Sequence, residues 1–428
     1  MIAYLLSTGE NISPFNRPPG ELKIHQRSLL ETQQSRLKAC RCNELRPIKS
    51  LEEVREFPCL VISDDLYFTR IALRKFLRAA TKSRDGNYQA ALETSNLTET
   101  FTPAFQGNKK DSLRCYDLFY LGKAVTNEDA LRIESKPLPI PHRIRTLRTP
   151  VSRFFDESGQ FEVPLSGVFL TPIRHWSCLL TASLLGMTGF LLETARTRFL
   201  ESLMLLIKAP FRAGSLRLSL ILGKCFYRGR KCRIHPTAEV IGSILGDNVQ
   251  IGPNAVVKNC VIGSHTRIGP AALVEGCSIG ERCNIAGAIR VRSCVLGNEA
   301  TIGTYFTQFS ILGNGAMVCP DAGILDFSFK GDVQVKIGGK KVNTGSRILG
   351  GCLGDGVFLG PGLRVMAGQE VPEGAVLVTS PRELVRDPDS KLPDGVWRID
   401  SGRRSATAAR DDSMIQPDDP ETSSRQFE

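Results

Sequence analysis

Few side chains in this 428-residue chain have the type and spacing that chemistry needs. Asp64 and Asp65 follow the apolar stretch Leu60–Ile62 and precede an apolar, basic stretch ending near Ala80. A carboxylate at the C-terminal end of a buried strand is where α/β folds place ligand chemistry. His235, in IHPTA, and His265, in GSHT, lie in a repetitive region further on. An imidazole there has the proton affinity of a general base. Cys40 and Cys42 form a lone CxC with no second pair to complete a zinc set. Cys260, Cys277 and Cys294 recur every 17 residues, with Ser243 one step earlier. That column reads as a small buried corner residue, because a free cysteine packs as a small hydrophobe.

The elements that position these residues follow from the same period. Stepping by 17, Ile234, Ile251, Ile268, Ile285 and Ile302 fall in one column and Val240, Val257, Val274 and Val291 in a second. Leu245, Ile262, Ile279 and Leu296 form a third. Each step divides 6 + 5 + 6, with glycine after many of the aliphatics, as at Gly246, Gly263, Gly280 and Gly297. A helix needs apolar spacing near 3.6, which is absent. Three short strands per turn, joined by tight glycine corners, describe a triangular parallel β-helix whose coils bury one aliphatic per side. The five clear coils predict a prism roughly 25 Å tall before further coils are added. His265 then falls at a prism corner and points outward, and His235 reads as a corner or cap residue.

Composition bounds the rest. The chain is 42% hydrophobic and 23% charged, as expected for a globular protein of two or three domains. MIAYLLSTGE is only briefly apolar and lacks a basic lead-in, so no signal peptide is expected. Thirteen cysteines without a disulfide-like spacing point to the cytoplasm. The net charge of +11 is concentrated between Pro139 and Arg233, which hold 15 Lys/Arg against 5 Asp/Glu. That segment also contains the uncharged run Trp176–Leu192. It reads as a set of helices capping the open N-terminal end of the prism. The alternative is a membrane-surface helix group over 176–232, with Arg212, Arg217, Lys224, Arg228, Arg230 and Lys231 facing anionic lipid. Seventeen residues with two glycines fall short of a membrane span. Nucleic acid is not an expected partner, since the basic residues are not interleaved with stacking aromatics. From about Asp387 the Ser-, Asp- and Pro-rich composition predicts a disordered tail over 387–428.

The [LIV]-G-x-x-[STAV]-x pattern of residues 233–380 resembles the left-handed β-helix of hexapeptide-repeat transferases. VQVKIGGKKVNTG, followed by LGGCLGDG, resembles the end of two-domain sugar-1-phosphate nucleotidyltransferase/acetyltransferases, where a strand pair interrupts the coils, here near 326–346. The resemblance implies an α/β nucleotidyltransferase-like domain over 1–138, a helical connector over 139–232 and the left-handed β-helix over 233–380. It also implies a homotrimer through the β-helix. Its metal-binding aspartate would be Asp65, with Asp64 beside it, holding magnesium. The nucleotide-binding loop of that family is Gly-rich, whereas LLSTGENISPFNRPPGELK retains only Gly9 and Gly20, so nucleotidyl transfer is not expected.

In the same resemblance the acyl-transfer site lies beside the strand pair. Its histidine base would fall near Gly303, where TYFTQF holds none; its asparagine falls near Asp326, and its lysine at Ile348, next to Arg347. The expected activity is therefore acyl transfer from acetyl-CoA or another acyl-CoA to a sugar or sugar-nucleotide, with His265, Asp326 and Arg347 as candidate catalytic residues. The alternative is a catalytically inactive scaffold or ligand-binding protein of the same descent.

Overall fold

The computed structural model describes residues 1–82, 86–99, 108–125, 127–150, 153, 158–213, 226–379, 397–400 and 403–406. Most of the expected disordered tail lies outside these residues. The chain divides into two units, Met1–Leu377 and Val378–Glu428. In the second, Trp397–Asp400 pairs antiparallel with Arg403–Ala406.

The first unit begins with a mixed sheet. Its strand order is Lys136–Pro139, Tyr88–Glu93, Leu113–Leu121, Cys59–Ser63, Ile2–Leu6, Glu44–Ile48. Ile2–Leu6 runs parallel to both its neighbours, and Leu113–Leu121 runs antiparallel to Cys59–Ser63, Tyr88–Glu93 and the short Asn108–Lys110. Every residue of Cys59–Ser63 is buried, as its unbroken apolar run requires of a central strand. The helix Leu29–Ala39 starts at a capping box in which Ser28 and Glu31 satisfy each other's backbone amides. Arg36 of that helix is 2% exposed. Its guanidinium donates to the Phe68 carbonyl at 2.5 Å and to Glu193 at 3.2 Å, and lies 4.7 Å over the Tyr67 ring. One buried cation thereby ties the helix Leu29–Ala39 and the strand Leu66–Phe68 to the helix Met187–Thr197.

Residues 227–377 form the prism. Tyr227–Arg228 opens an eight-stranded parallel sheet, Arg233–Ile234 opens a second, and Glu239–Ile241 opens a third of five strands. The register joins Ile251 to Ile268, Val257 to Val274 and Ile262 to Ile279, so the aliphatic columns are layers of one continuous core. One coil is shortened to 16 residues, pairing Val291 with Thr307. The strand pair Gln334–Ile337 and Lys340–Asn343 interrupts the third face.

The corner glycines are needed for a different reason from the one the sequence suggests. A Cβ at Gly263 would sit 2.6 Å from the Gly280 carbonyl carbon, and one at Gly252 would sit 2.8 Å from the Pro270 nitrogen. The left-handed corner positions are held instead by Asn248, His265, Arg282 and Glu299, with φ between 55° and 63°. Glycine after the aliphatic thus allows coil-to-coil approach, and the residues that turn the corner carry side chains outward.

The middle segment departs from the expected all-helical cap. Arg145–Pro150 and Gln160–Leu165 form an antiparallel hairpin, and Leu170–Pro172 pairs with Leu66–Phe68. Three helices follow: Trp176–Leu185, Met187–Thr197 and Phe199–Ala213. The first packs on the flank of the prism rather than on its end, because Val295, Ile311 and Cys352 turn apolar side chains outward to meet Trp176, Leu179 and Leu180 in one buried cluster. No single described helix is long and apolar enough to cross a membrane. Trp176–Leu185 and Met187–Thr197 pass that test only as a pair bent by 50°.

Two predictions follow from this packing. Gly263→Ala should lower stability by about 2 kcal/mol or more, since backbone must move to admit a methyl group. Gly315→Ala, where φ is +65° and the space is open, should cost only about 1 kcal/mol. Equal urea midpoints for the two variants would count against the close-approach account. Acid sensitivity is the second. His25 donates from Nε2 to the Ser183 carbonyl at 2.7 Å and stacks on Phe190; burial pushes it from 6.5 down to about 4. Burial likewise lowers His175 to about 4. Both are neutral when folded, and the unfolded chain takes up their protons first. Stability is therefore complete above about pH 6.5 and falls towards pH 4, by up to about 3 kcal/mol for each group. Denaturant midpoints across that range check this, and His25→Gln should flatten the slope.

Candidate functional site

Two cavities collect several charged side chains of the described residues. The first, of about 520 Å³, opens at the C-terminal ends of Ile2–Leu6 and Cys59–Ser63, and Ser7, Thr8, Asp65, Asp117, Arg132 and Arg174 line it. The sheet delivers Asp64 and Asp65 here as the sequence implies, but both carboxylates are engaged. Asp64 accepts from the Ser7 hydroxyl, the Thr8 amide and the Thr8 hydroxyl at 2.9–3.0 Å, and so clamps the loop after the first strand. Asp65 is 2% exposed. It accepts from Ser63 Oγ at 2.6 Å and from Arg174 Nε at 2.9 Å. Arg174 also reaches Asp117 at 3.1 Å, which Arg132 approaches at 3.3 Å.

An alternating chain of two guanidiniums and two carboxylates thus fills the place where magnesium would bind. A divalent cation needs carboxylate oxygens free of other cations, and the residues present do not fit one. Among the described residues no group of three or more His, Cys, Asp or Glu is placed to hold a metal. Cys40 and Cys42 are not part of such a group, and burial pushes both thiols up, Cys42 to about 11.

The second cavity, of about 730 Å³, lies between the Arg145–Leu165 hairpin, the helices on either side of Gly186, and the third face of the prism. Phe161, Val163, Leu184, Met187 and Phe309 give it an apolar wall. Its floor is a ladder in which Lys258, Glu275, Arg292 and Gln308 stack on successive coils. Arg292 pairs with Glu275 at 3.0 Å. Asp326, at the start of the strand-pair insertion, faces the same space, and desolvation raises its pKa above the usual carboxylate range.

The other two candidates line neither cavity. His265 is an exposed corner residue whose Nε2 lies 3.5 Å from the Asn248 amide one coil away. Arg347 is exposed and follows the insertion's return strand, next to the buried Ile348. The Lys258–Gln308 ladder was not singled out from the sequence, although its signal is there: each member is the residue after a second-column position, Val257, Val274, Val291 or Thr307. The cysteine column is structural. Each thiol donates to a carbonyl of the next coil, and burial pushes Cys260 and Cys294 well up.

Stacked glycine-spaced coils beside an α/β sheet define a hexapeptide-repeat β-helix fold. Within it, residues 221–328 match the family model described as the GMPPB C-terminal domain, the hexapeptide-repeat part of sugar-1-phosphate nucleotidyltransferases. No curated protein matches the chain. Among solved structures, one described as a candidate acetyltransferase, the product of the BC4754 gene of Bacillus cereus, is 16% identical and covers 34% of this chain and 76% of its own, with a TM-score of 0.16. That score supports no argument beyond the match itself.

The ion chain makes a specific prediction for the first cavity. Arg174→Ala leaves the buried Asp65 carboxylate with one hydroxyl partner and should destabilise the protein by about 2 kcal/mol, a value reduced because Arg174 is itself half exposed. Magnesium should leave the melting temperature of the native protein unchanged. A magnesium-dependent rise in the native protein would contradict the site as described.

Proposed function

We propose that the protein is an acyltransferase of the hexapeptide-repeat lineage, working at the 730 Å³ cavity beside the strand pair on a sugar or sugar-nucleotide acceptor. The observation that supports this most directly is Asp326, a desolvated carboxylate of raised pKa opening on an apolar chamber. Such a carboxylate binds a proton more readily than a solvated one, which suits a general base. In this reading the apolar wall takes the acyl chain of a thioester such as acetyl-CoA. Asp326 removes the proton from an acceptor hydroxyl or amine as that group attacks the thioester carbonyl. Lys258 and the Gln308 amide are the donors available to the developing oxyanion. As the carbon–sulfur bond breaks, the proton on Asp326 passes to the departing thiolate, leaving an acylated acceptor and a free thiol.

A binding-only protein is the second reading, and the Arg174–Asp65 pair favours it, because one inherited centre has already exchanged catalysis for a fixed ion pair. Homotrimer formation through the prism is likewise a proposal. The face carrying Gln250, Arg267 and Asn284 is exposed and available for it.

Thermal denaturation with acyl-CoA donors, followed by release of free thiol in the presence of UDP-sugars, tests the reading. A donor in excess of its Kd should raise the melting temperature. Asp326→Asn should keep that rise and lose about 100-fold in turnover. Stabilisation without thiol release would leave the binding protein, and no stabilisation by any acyl-CoA would remove the acyltransferase.

A further inference from the structure

The helix Phe199–Ala213 belongs to neither cavity and has an unusual surface. Phe199, Leu200, Leu203, Met204, Leu206, Ile207 and Phe211 are all exposed, Leu200 at 74% and Phe211 at 86%. At 100° per residue, those seven side chains cover an arc of about 160°. The opposite side holds Ser202, whose hydroxyl lies 2.6 Å from that of Tyr227, and the buried Ala209. The helix is therefore held to the first coil of the prism along a narrow seam, with a broad apolar arc outward. Exposed apolar patches of that extent mark interaction surfaces.

The charge around it identifies the partner. Residues 196–233 contain ten Lys/Arg and a single acidic residue, Glu201. Arg196, Arg198 and Lys208 are exposed on or next to the helix. Arg228, Arg230, Lys231 and Arg233 are exposed on the coil that Tyr227 anchors to it. We propose that this face docks on an anionic lipid surface, the helix lying in the interface with its apolar arc among the acyl chains and the basic residues among the headgroups. A second copy of the chain is a poor occupant, since it would set these seven exposed cations against their own copies. Fifteen residues with Pro210 inside them reach only about 22 Å as a helix, less than a bilayer core, so the helix lies on the membrane and does not span it. This proposal stands apart from the acyltransferase reading.

Vesicle flotation of the full chain tests it. The protein should float with phosphatidylcholine vesicles containing phosphatidylglycerol, stay behind with phosphatidylcholine alone, and be partly released by high salt. The triple variant Leu200→Glu, Met204→Glu, Ile207→Glu should bind about tenfold more weakly or worse, with an unchanged melting temperature. Phe211→Trp supplies a second readout: its emission should shift to the blue on adding the anionic vesicles. Failure of the native protein to float with anionic vesicles would overturn the proposal, and so would equal flotation of the triple variant. A change in the sedimenting mass of the free protein in the triple variant, without a change in flotation, would show that a second copy covers this face.

Discussion

Parallel coils can stack only if their backbones approach to about 4.8 Å at every layer, and here that demand is met at the turns as well as along the strands. Gly263 and Gly252 show the limit: a single carbon added at either would intrude on the coil above. Because the turns are as closely packed as the sides, the prism behaves as a rigid rail. The elements that wall the larger cavity are placed against it. The outward Val295, Ile311 and Cys352 fix the Trp176 helix, that helix presents its Ser183 carbonyl to His25, and Arg36 joins the following helix to the helix Leu29–Ala39.

The two cavities illustrate opposite treatments of a buried carboxylate. Asp65 is neutralised by Arg174, which costs the site its free coordination sphere and gives it a fixed geometry. Asp326 has no such guanidinium among its hydrogen-bond partners here, and its environment acts on its proton affinity instead. In a low-dielectric setting a carboxylate is either paired or made harder to ionise.

Sequence reading recovered what is periodic and missed what is tertiary. The three aliphatic columns, the corner identity of Cys260, Cys277 and Cys294, and the strand pair near 326–346 are visible because each coil repeats the environment of the last. The buried strand before Asp64 is visible because an unbroken apolar run has few other destinations. Arg174 was invisible as a partner of Asp65, since 109 residues separate them and neither lies in a repeat. The cavity was invisible for a similar reason. Its outer wall is a hairpin whose strands, RTLRTP and QFEVPL, are too polar and proline-rich to announce a buried surface. The Trp176 helix was recognised as apolar, but its direction of burial depends on outward residues of the prism that the repeat leaves unconstrained.

The docking of the Trp176 helix on the prism flank has a consequence for concentration. A bare β-helix with apolar residues on an outer face would have to find a sister chain to cover them, and anything built at that seam would come and go with dilution. Here the covering element is spliced into the same polypeptide, so the wall it lends to the larger cavity is present at any protein level. The described wall of that chamber is set by the folding of one polypeptide.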